Sequence, residues 1–237
     1  MSFRLSAEGD VAVLALDRPP VNALDPALVA ALEPAVADLA RSRPRGLVLT
    51  GEGRAFSAGV DTRAFAACDS AGRAAMILAI TRVVGKLYAL PFPVVAAVNG
   101  HAMGGGFVLM LTGDVRIATD DPAARFGLQE AQAGIPFPAG PLEVIRAELS
   151  PELLRRLTLT SVAVGSAALH ALGVVDRLAP AGEGVAAAAD QVRVLAAQPG
   201  FSLVKAQLRR PTVRRLEALA AAGEDPLIAA LDPPDAP

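Results

Sequence analysis

Short apolar runs alternate with longer amphipathic segments in the first half of the chain. A run of four to eight apolar residues between Gly, Pro or charged residues is typical of a buried strand. Four runs fit this description: Val11–Leu16, Gly46–Thr50, Pro93–Val98 and Asp114–Ala118. They predict four strands of a buried sheet.

The segments between these runs have helical spacing. Asp25 followed by Pro26 is typical of a helix N-cap and first position, and apolar residues then recur every three or four positions to about Arg41. Residues 70–88 predict a second helix, and a third begins near Gly105. This alternation of strands and helices predicts an α/β fold.

After about residue 140 the pattern is mainly helical. Four helices are predicted there: Glu152–Leu159, Ser166–Leu172, Val185–Gln198 and Lys205–Ala222. We predict that residues 1–140 form an α/β core that carries the site. Residues 141–237 would complete this core and add a C-terminal helical region, the whole being one structural unit. The Pro-rich residues 232–237 predict a frayed tail.

Composition excludes several classes of protein. The 237 residues are 53% hydrophobic, too many for a disordered chain, and the formal net charge of −2 provides no basic field for nucleic acid. A single Cys and two His exclude a disulfide framework and make a metal site improbable. The uncharged stretch 87–113 is interrupted by Pro and Gly, which disfavours a membrane span. The N-terminal residues have no apolar segment typical of a secretory signal, so we expect a cytoplasmic protein.

A glycine-rich turn, residues 99–106, joins a predicted strand to a predicted helix. Free N–H groups at a helix N-terminus can hold a phosphate or a developing oxyanion. The phosphate-binding signatures are missing, because the turn has neither G-x-G-x-x-G nor Gly-Lys-Ser/Thr. By itself the turn is equally well explained by close packing of a helix on a sheet, with His101 packing or hydrogen-bonding beside it.

A second turn, residues 56–61, leads into another helix. Capping that helix is the preferred role for the side chain of Asp61. Ser57 lacks the G-x-S-x-G context of a hydrolase nucleophile. Glu130 is a third candidate, because it lies among apolar and amide residues before a loop rich in Gly and Pro, where a desolvated base could form. Glu143 and Glu148, on the next helix, are expected to be solvated.

Several motifs, in this order, resemble the crotonase superfamily, that is, the enoyl-CoA hydratase/isomerase family. The resemblance covers nearly the whole chain. The matching segments are residues 18–24 (Arg-Pro-Pro-Val-Asn-Ala-Leu), 55–61 (Ala-Phe-Ser-Ala-Gly-Val-Asp), 93–100, 104–106, 114–118 and 171–176 (Ala-Leu-Gly-Val-Val-Asp).

The resemblance implies a spiral of ββα units with a C-terminal helical trimerisation region, giving a homotrimer or hexamer. It implies an acyl-CoA thioester as ligand, with no separate cofactor and no metal. The N–H groups of Val60 and Gly105 would form the oxyanion hole, and Glu130 would be a catalytic carboxylate. The substrate and its CoA portion would be held by Val21, Ala23, Ala58, Gly59, Asp61, Gly104 and Val108. Lys205 is a candidate contact for the CoA phosphates.

One departure from the family affects the reaction. Hydratases use two glutamates, because adding water needs one group to orient and deprotonate it and both to manage the proton transfers. The position of one of them is Val108 here, while the other matches Glu130. The run 127–135 also resembles that of Δ3,Δ2-enoyl-CoA isomerases, in which one base suffices. We therefore favour isomerisation; hydration, decarboxylation, thioester hydrolysis and a non-catalytic CoA-binding role stay open as alternatives.

Overall fold

A computed structural model describes residues 2–231; the predicted tail at 232–237 lies outside them. The strands are β1 (Phe3–Glu8), β2 (Val11–Leu16), β3 (Leu47–Gly51), β4 (Ala55–Ser57), β5 (Val94–Val98), β6 (His101–Met103), β7 (Val115–Thr119), β8 (Phe126–Gly127) and β9 (Arg177–Ala179). The helices are α1 (Pro26–Ser42), α2 (Thr62–Ala67), α3 (Ser70–Tyr88), α4 (Gly105–Leu111), α5 (Glu130–Ala133), α6 (Ala139–Glu148), α7 (Pro151–Leu159), α8 (Ser166–Ala171), α9 (Gly184–Ala196), α10 (Phe201–Ala222) and α11 (Pro226–Leu231).

The larger sheet has six strands in the order β1-β2-β3-β5-β7-β9. β1 and β2 form an antiparallel hairpin, and each later neighbour pairs in parallel. All four strands predicted from the sequence lie in this sheet. β5 is buried along its whole length, as expected for a parallel strand that helices cover on both faces.

A second, three-stranded parallel sheet has the order β4-β6-β8. Each of its strands directly follows a strand of the larger sheet in the chain: β4 follows β3, β6 follows β5 and β8 follows β7. A helix comes next in each case. The predicted spiral of ββα units is confirmed. The three short strands were not predicted, since two or three residues carry no readable period.

Helices α3, α6 and α10 pack against one another on one side of the larger sheet, and α9 covers its other face. The Asp25 carboxylate accepts a hydrogen bond from Leu28 N at 2.8 Å, and this confirms the predicted cap of α1, worth about 1 kcal/mol. None of the helices within residues 2–231 is both long and apolar enough to span a membrane.

Buried ion pairs attach α10 to the core. Lys205 Nζ lies 2.7 Å from Asp114 Oδ2 and donates to the carbonyl of Phe92 at 2.8 Å. Arg209 contacts the other Asp114 oxygen at 3.1 Å and lies over the ring of Tyr88. The suggestion that Lys205 meets the CoA phosphates is wrong, because its side chain is 6% exposed and its donors are held inside the fold.

The expectation that Glu143 and Glu148 are solvated is also wrong. Their side chains are 14% and 16% exposed. Glu148 accepts a hydrogen bond from Tyr88 Oη at 2.7 Å and pairs with Arg116 at 3.0 Å. Sequence spacing alone did not show that α6 faces α3 and the end of β7, where these partners lie.

Candidate active site

The candidate groups are brought together by the smaller sheet. Ser57 of β4 pairs with Ala102 of β6, and Met103 of β6 pairs with Gly127 of β8. Carboxyl ends of parallel strands lie at the same edge of a sheet. Val60, Gly105 and Glu130 follow these three strand ends by two or three residues each, so one edge presents all three.

The turns after β4 and β6 are in close contact. A Cβ added at Gly106 would lie 2.2 Å from the carbonyl oxygen of Ser57, and one added at Gly59 would lie 2.6 Å from that of Met103. Gly59 and Gly104 have φ values of 81° and 49°, which favour glycine. The close-packing interpretation of the glycine turn is therefore confirmed, and this packing brings the turn beside Val60.

Two residues at these turns, Val60 and Gly105, have backbone N–H groups that are not used by the neighbouring bridge or helix. Leu24 forms a parallel bridge with Val60, in which Leu24 N donates to Gly59 O and Asp61 N donates to Leu24 O, both at 2.8 Å. The N–H of Val60 itself therefore points away from Leu24. Gly105 is the first residue of α4, where an N–H has no partner inside the helix. Both residues line one cleft.

Glu130 faces this cleft from the third strand end. A Cβ added at Gly104 would lie 3.1 Å from Glu130 Oε1, so the carboxylate is directed at the glycine turn. Its Oε2 is buried and has no hydrogen-bond partner. Burial raises the pKa of Glu130 from 4.5 to about 7, because the charged form loses solvation and gains no cation.

The cleft has a volume of about 330 Å³. Ala58, Gln129 and Ala133 lie on its exposed side. Its inner wall is apolar and includes Phe65, Ile77, Ile80, Val108, Phe137, Pro141 and Leu227. Val108 is 1% exposed. The candidates that line the cleft are Ala58, Val60, Gly104, Gly105, Val108 and Glu130.

The remaining candidates support the turns and do not line the cleft. The carbonyl of Val21 accepts a hydrogen bond from Ala58 N at 2.9 Å, and that of Ala23 accepts one from Arg18. Gly59 is buried between the two turns. The Asp61 carboxylate caps α2 through Ala64 N, as predicted, and pairs with Arg18 at 2.8 Å.

The hydrogen bond from Ala64 and the Arg18 guanidinium hold the pKa of Asp61 below its usual value, so its carboxylate stays ionised in this structural role. A CoA contact by Asp61 stays a prediction. Asn22, which was not singled out from the sequence, anchors the same segment. Its amide donates to the carbonyls of Glu52 and Ala55 at 2.9 and 2.8 Å.

The side chains of Ser57 and His101, which were considered for nucleophilic or metal chemistry, form hydrogen bonds within the fold. Ser57 is fully buried, and its Oγ donates to the carbonyl of Asn22 at 2.7 Å. His101 Nδ1 accepts from Arg125 N at 3.1 Å, in agreement with the expected hydrogen-bonding role. Among residues 2–231 no cluster of three or more His, Cys, Asp or Glu side chains is placed to hold a metal ion.

Sequence reasoning missed the apolar wall of the cleft. Ile77 and Ile80 of α3 fit the ordinary pattern of a core helix, and Leu227 of α11 comes from the far end of the chain. Asp225 positions Leu227 by accepting hydrogen bonds from Ala139 N at 2.8 Å and Leu227 N at 2.9 Å. The sequence signals for this wall were Val108 and the apolar loop 135–138.

Comparisons with known proteins agree with this fold. The model of the enoyl-CoA hydratase/isomerase family matches residues 6–228. A putative enoyl-CoA hydratase of Thermus thermophilus is 35% identical over 181 residues, which are 74% of this chain and 70% of the relative. A (7aS)-7a-methyl-1,5-dioxo-2,3,5,6,7,7a-hexahydro-1H-indene-carboxyl-CoA hydrolase of Mycobacterium tuberculosis is 37% identical over 179 residues, 72% of this chain and 68% of the relative. The crystal structure of human mitochondrial delta3-delta2-enoyl-CoA isomerase superposes with a TM-score of 0.88 at 25% identity, covering 98% of this chain and 93% of that one.

Proposed function

The chain belongs to the enoyl-CoA hydratase/isomerase family, and on this premise we propose that it moves the double bond of a 3-enoyl-CoA to the 2,3 position with Glu130 as its single base. One observation carries the proposal. Among the described residues that line the cleft, Glu130 is the sole carboxylate, and the position of the second hydratase glutamate holds the buried Val108.

The thioester oxygen lies between the N–H groups of Val60 and Gly105. Glu130 takes a proton from C2, and the electron pair of that C–H bond moves onto the thioester oxygen, forming a dienolate. The two N–H donors stabilise this charge where it develops. Glu130 then returns the proton to C4, the double bond forms between C2 and C3, and the carboxylate is regenerated. No water or second acid takes part in the sequence.

The environment of Glu130 suits a base for a weak carbon acid. General-base catalysis is most effective when the pKa of the base is near the working pH. Burial raises the pKa of Glu130 to about 7, so the carboxylate is a stronger base than one in water and its ionised form is still populated at neutral pH. Its unpartnered Oε2 leaves an acceptor free for the substrate proton.

Val108 opposes hydration. A water molecule added at C3 must be oriented and deprotonated, and an apolar side chain that is 1% exposed offers no hydrogen bond for that purpose. The relatives include proteins named hydratase and hydrolase. The isomerase proposal therefore rests on the combination of one carboxylate, Glu130, with the apolar Val108 at the position of the second glutamate.

The test uses 3-enoyl-CoA and 2-enoyl-CoA side by side. We expect the native protein to isomerise the first and to hydrate the second very poorly. Robust hydration of 2-enoyl-CoA by the native protein would refute the one-base argument. Val108→Glu should raise hydration, provided that circular dichroism shows a folded variant, since a newly buried acid carries a desolvation cost.

Exchange of the C2 protons of a bound saturated acyl-CoA with solvent deuterium reports enolate formation without the true substrate. Native protein should catalyse this exchange, and Glu130→Gln should abolish it while acyl-CoA affinity stays within roughly tenfold, since a base acts mainly in the transition state. Unchanged exchange in a folded Glu130→Gln variant would show that another residue is the base.

A further inference from the structure

A second, smaller cavity lies directly behind the glycine turn. It has a volume of about 20 Å³ and lies between α1, α3 and α4. The side chains around it are all apolar, so it has no group to hold a water molecule. The residues that line this inner cavity alone are Leu24, Val29, Leu32, Val83, Val84 and Leu109.

Four residues line both the inner cavity and the cleft and therefore form the wall between them. They are Ile80, Gly105, Val108 and Pro141. Ile80 and Val108 contribute the side chains of α3 and α4 to this wall, and both are almost fully buried, at 6% and 1% exposure. Behind Gly105, Leu24 fills the remaining space, since a Cβ added at Gly105 would lie 3.2 Å from Leu24 Cδ1.

The proposed function places this wall beside the reacting carbons. If Gly105 N–H binds the thioester oxygen as proposed above, then Val108, one helical turn farther along α4, lies next to C2 and C3. A methyl branch that points from either carbon towards α4 meets this wall, and the space on the far side is apolar and about 20 Å³ in volume.

We infer that this site takes acyl groups without a branch at C2 or C3, and that the Val108 and Ile80 side chains are the specificity-determining wall that keeps branched groups out of the inner cavity. The inference rests on the proposed acyl-CoA function and adds the substrate class. An excluded methyl group in an apolar pocket lowers affinity roughly tenfold or more.

The experiment measures dissociation constants by titration calorimetry for hexanoyl-CoA, 2-methylhexanoyl-CoA and 3-methylhexanoyl-CoA, which carry no double bond to isomerise. Native protein should bind the branched compounds at least tenfold more weakly than hexanoyl-CoA. Val108→Ala removes two methyl groups from the wall, and at least one branched compound should then bind within about threefold of hexanoyl-CoA.

Matched controls separate the wall from general loosening of the core. Val83→Ala removes the same two methyl groups from the far side of the inner cavity, so the native preference should persist. If Val108→Ala does not fold, Ile80→Val opens the wall more gently and should also weaken the preference. Val84→Ala, on the same helix but lining the inner cavity alone, should not.

Equal affinity of the native protein for straight and branched compounds would overturn the inference. So would a preference that survives in every folded wall variant, or one that Val83→Ala removes as completely as Val108→Ala. Failure of the native protein to bind any of the three compounds would instead overturn the acyl-CoA function on which the inference rests, and the two failures are thus distinguishable.

Discussion

Ionisation of Glu130 is expected to destabilise the folded chain at the pH where the carboxylate is needed. The unfolded chain carries Glu130 with a pKa of 4.5, and burial raises it to about 7 in the fold. Between these values the folded chain holds a proton that the unfolded chain has released, so the free energy of unfolding falls by ~1.4 kcal/mol per pH unit. The contribution of this group is thus greatest at low pH and is lost as the pH rises through 7.

Glu130→Gln removes this effect while keeping the shape of the side chain. From the two pKa values, the variant should gain about 2.5 kcal/mol of unfolding free energy relative to the native chain between pH 5 and pH 8. Urea unfolding of both proteins at the two pH values, at one protomer concentration, measures the difference. Comparing variant with native chain at each pH cancels the titration of all other groups.

Glu33→Gln is a control of opposite sign. Burial acts to raise the pKa of Glu33, but hydrogen bonds from Lys86 and Arg82 outweigh it and lower the pKa overall. The ionised form of Glu33 therefore stabilises the fold at pH values above its unfolded pKa. The free energy of unfolding of Glu33→Gln, relative to that of the native chain, should be lower at pH 8 than at acidic pH. A Glu130→Gln variant whose stability relative to the native chain does not change between pH 5 and pH 8 would refute the buried, unpaired carboxylate.

Three further predictions follow from the same contacts. The kcat/KM for a 3-enoyl-CoA should fall about tenfold per pH unit below an apparent pKa near 7, as Glu130 becomes protonated; a flat profile down to pH 5 would contradict its role as base. Lys205→Met should lower the free energy of unfolding by roughly 3 kcal/mol, because it breaks a buried pair with Asp114; a loss below 1 kcal/mol in urea unfolding would show that Arg209 alone suffices. Sedimentation should show a homotrimer or hexamer, since Leu159, Leu203 and Leu208 are 72–76% exposed on α7 and α10; a stable monomer at micromolar concentration would exclude it.

The sequence predicted the four inner strands of the larger sheet and the main helices because each carries enough residues for a pattern to be read. Val11–Leu16 and Asp25–Pro26 are examples in which local pattern and local structure agree. The edge strands β1 and β9 were missed. β1 is mostly exposed and alternates weakly, and β9 has three residues that depend on pairing with β7 for their conformation.

The charges of the C-terminal half show where local reasoning failed. Lys205 and Glu148 are of types that are usually solvated, and nothing nearby in the sequence indicates their partners. Asp114 and Tyr88 lie 91 and 60 positions away from them, respectively. Packing of α10 and α6 on α3 is what makes these side chains buried pairs.

The candidate site also has some features that the sequence determined and others that only the tertiary structure decided. Turn glycines, the cap at Asp61 and the presence of Val108 after the glycine turn are properties of short segments, so the sequence alone determined them. Through the family resemblance it also predicted the oxyanion donors and the base. Tertiary structure alone decided that Ile77, Phe137 and Leu227 form one apolar wall and that Ile80 and Val108 separate two cavities. It also decided the raised pKa of Glu130, because that depends on which side chains exclude water from the carboxylate and on the absence of a cation among the described residues that line the cleft. These features arise from contacts between segments far apart in the chain, and no local pattern of residues encodes them.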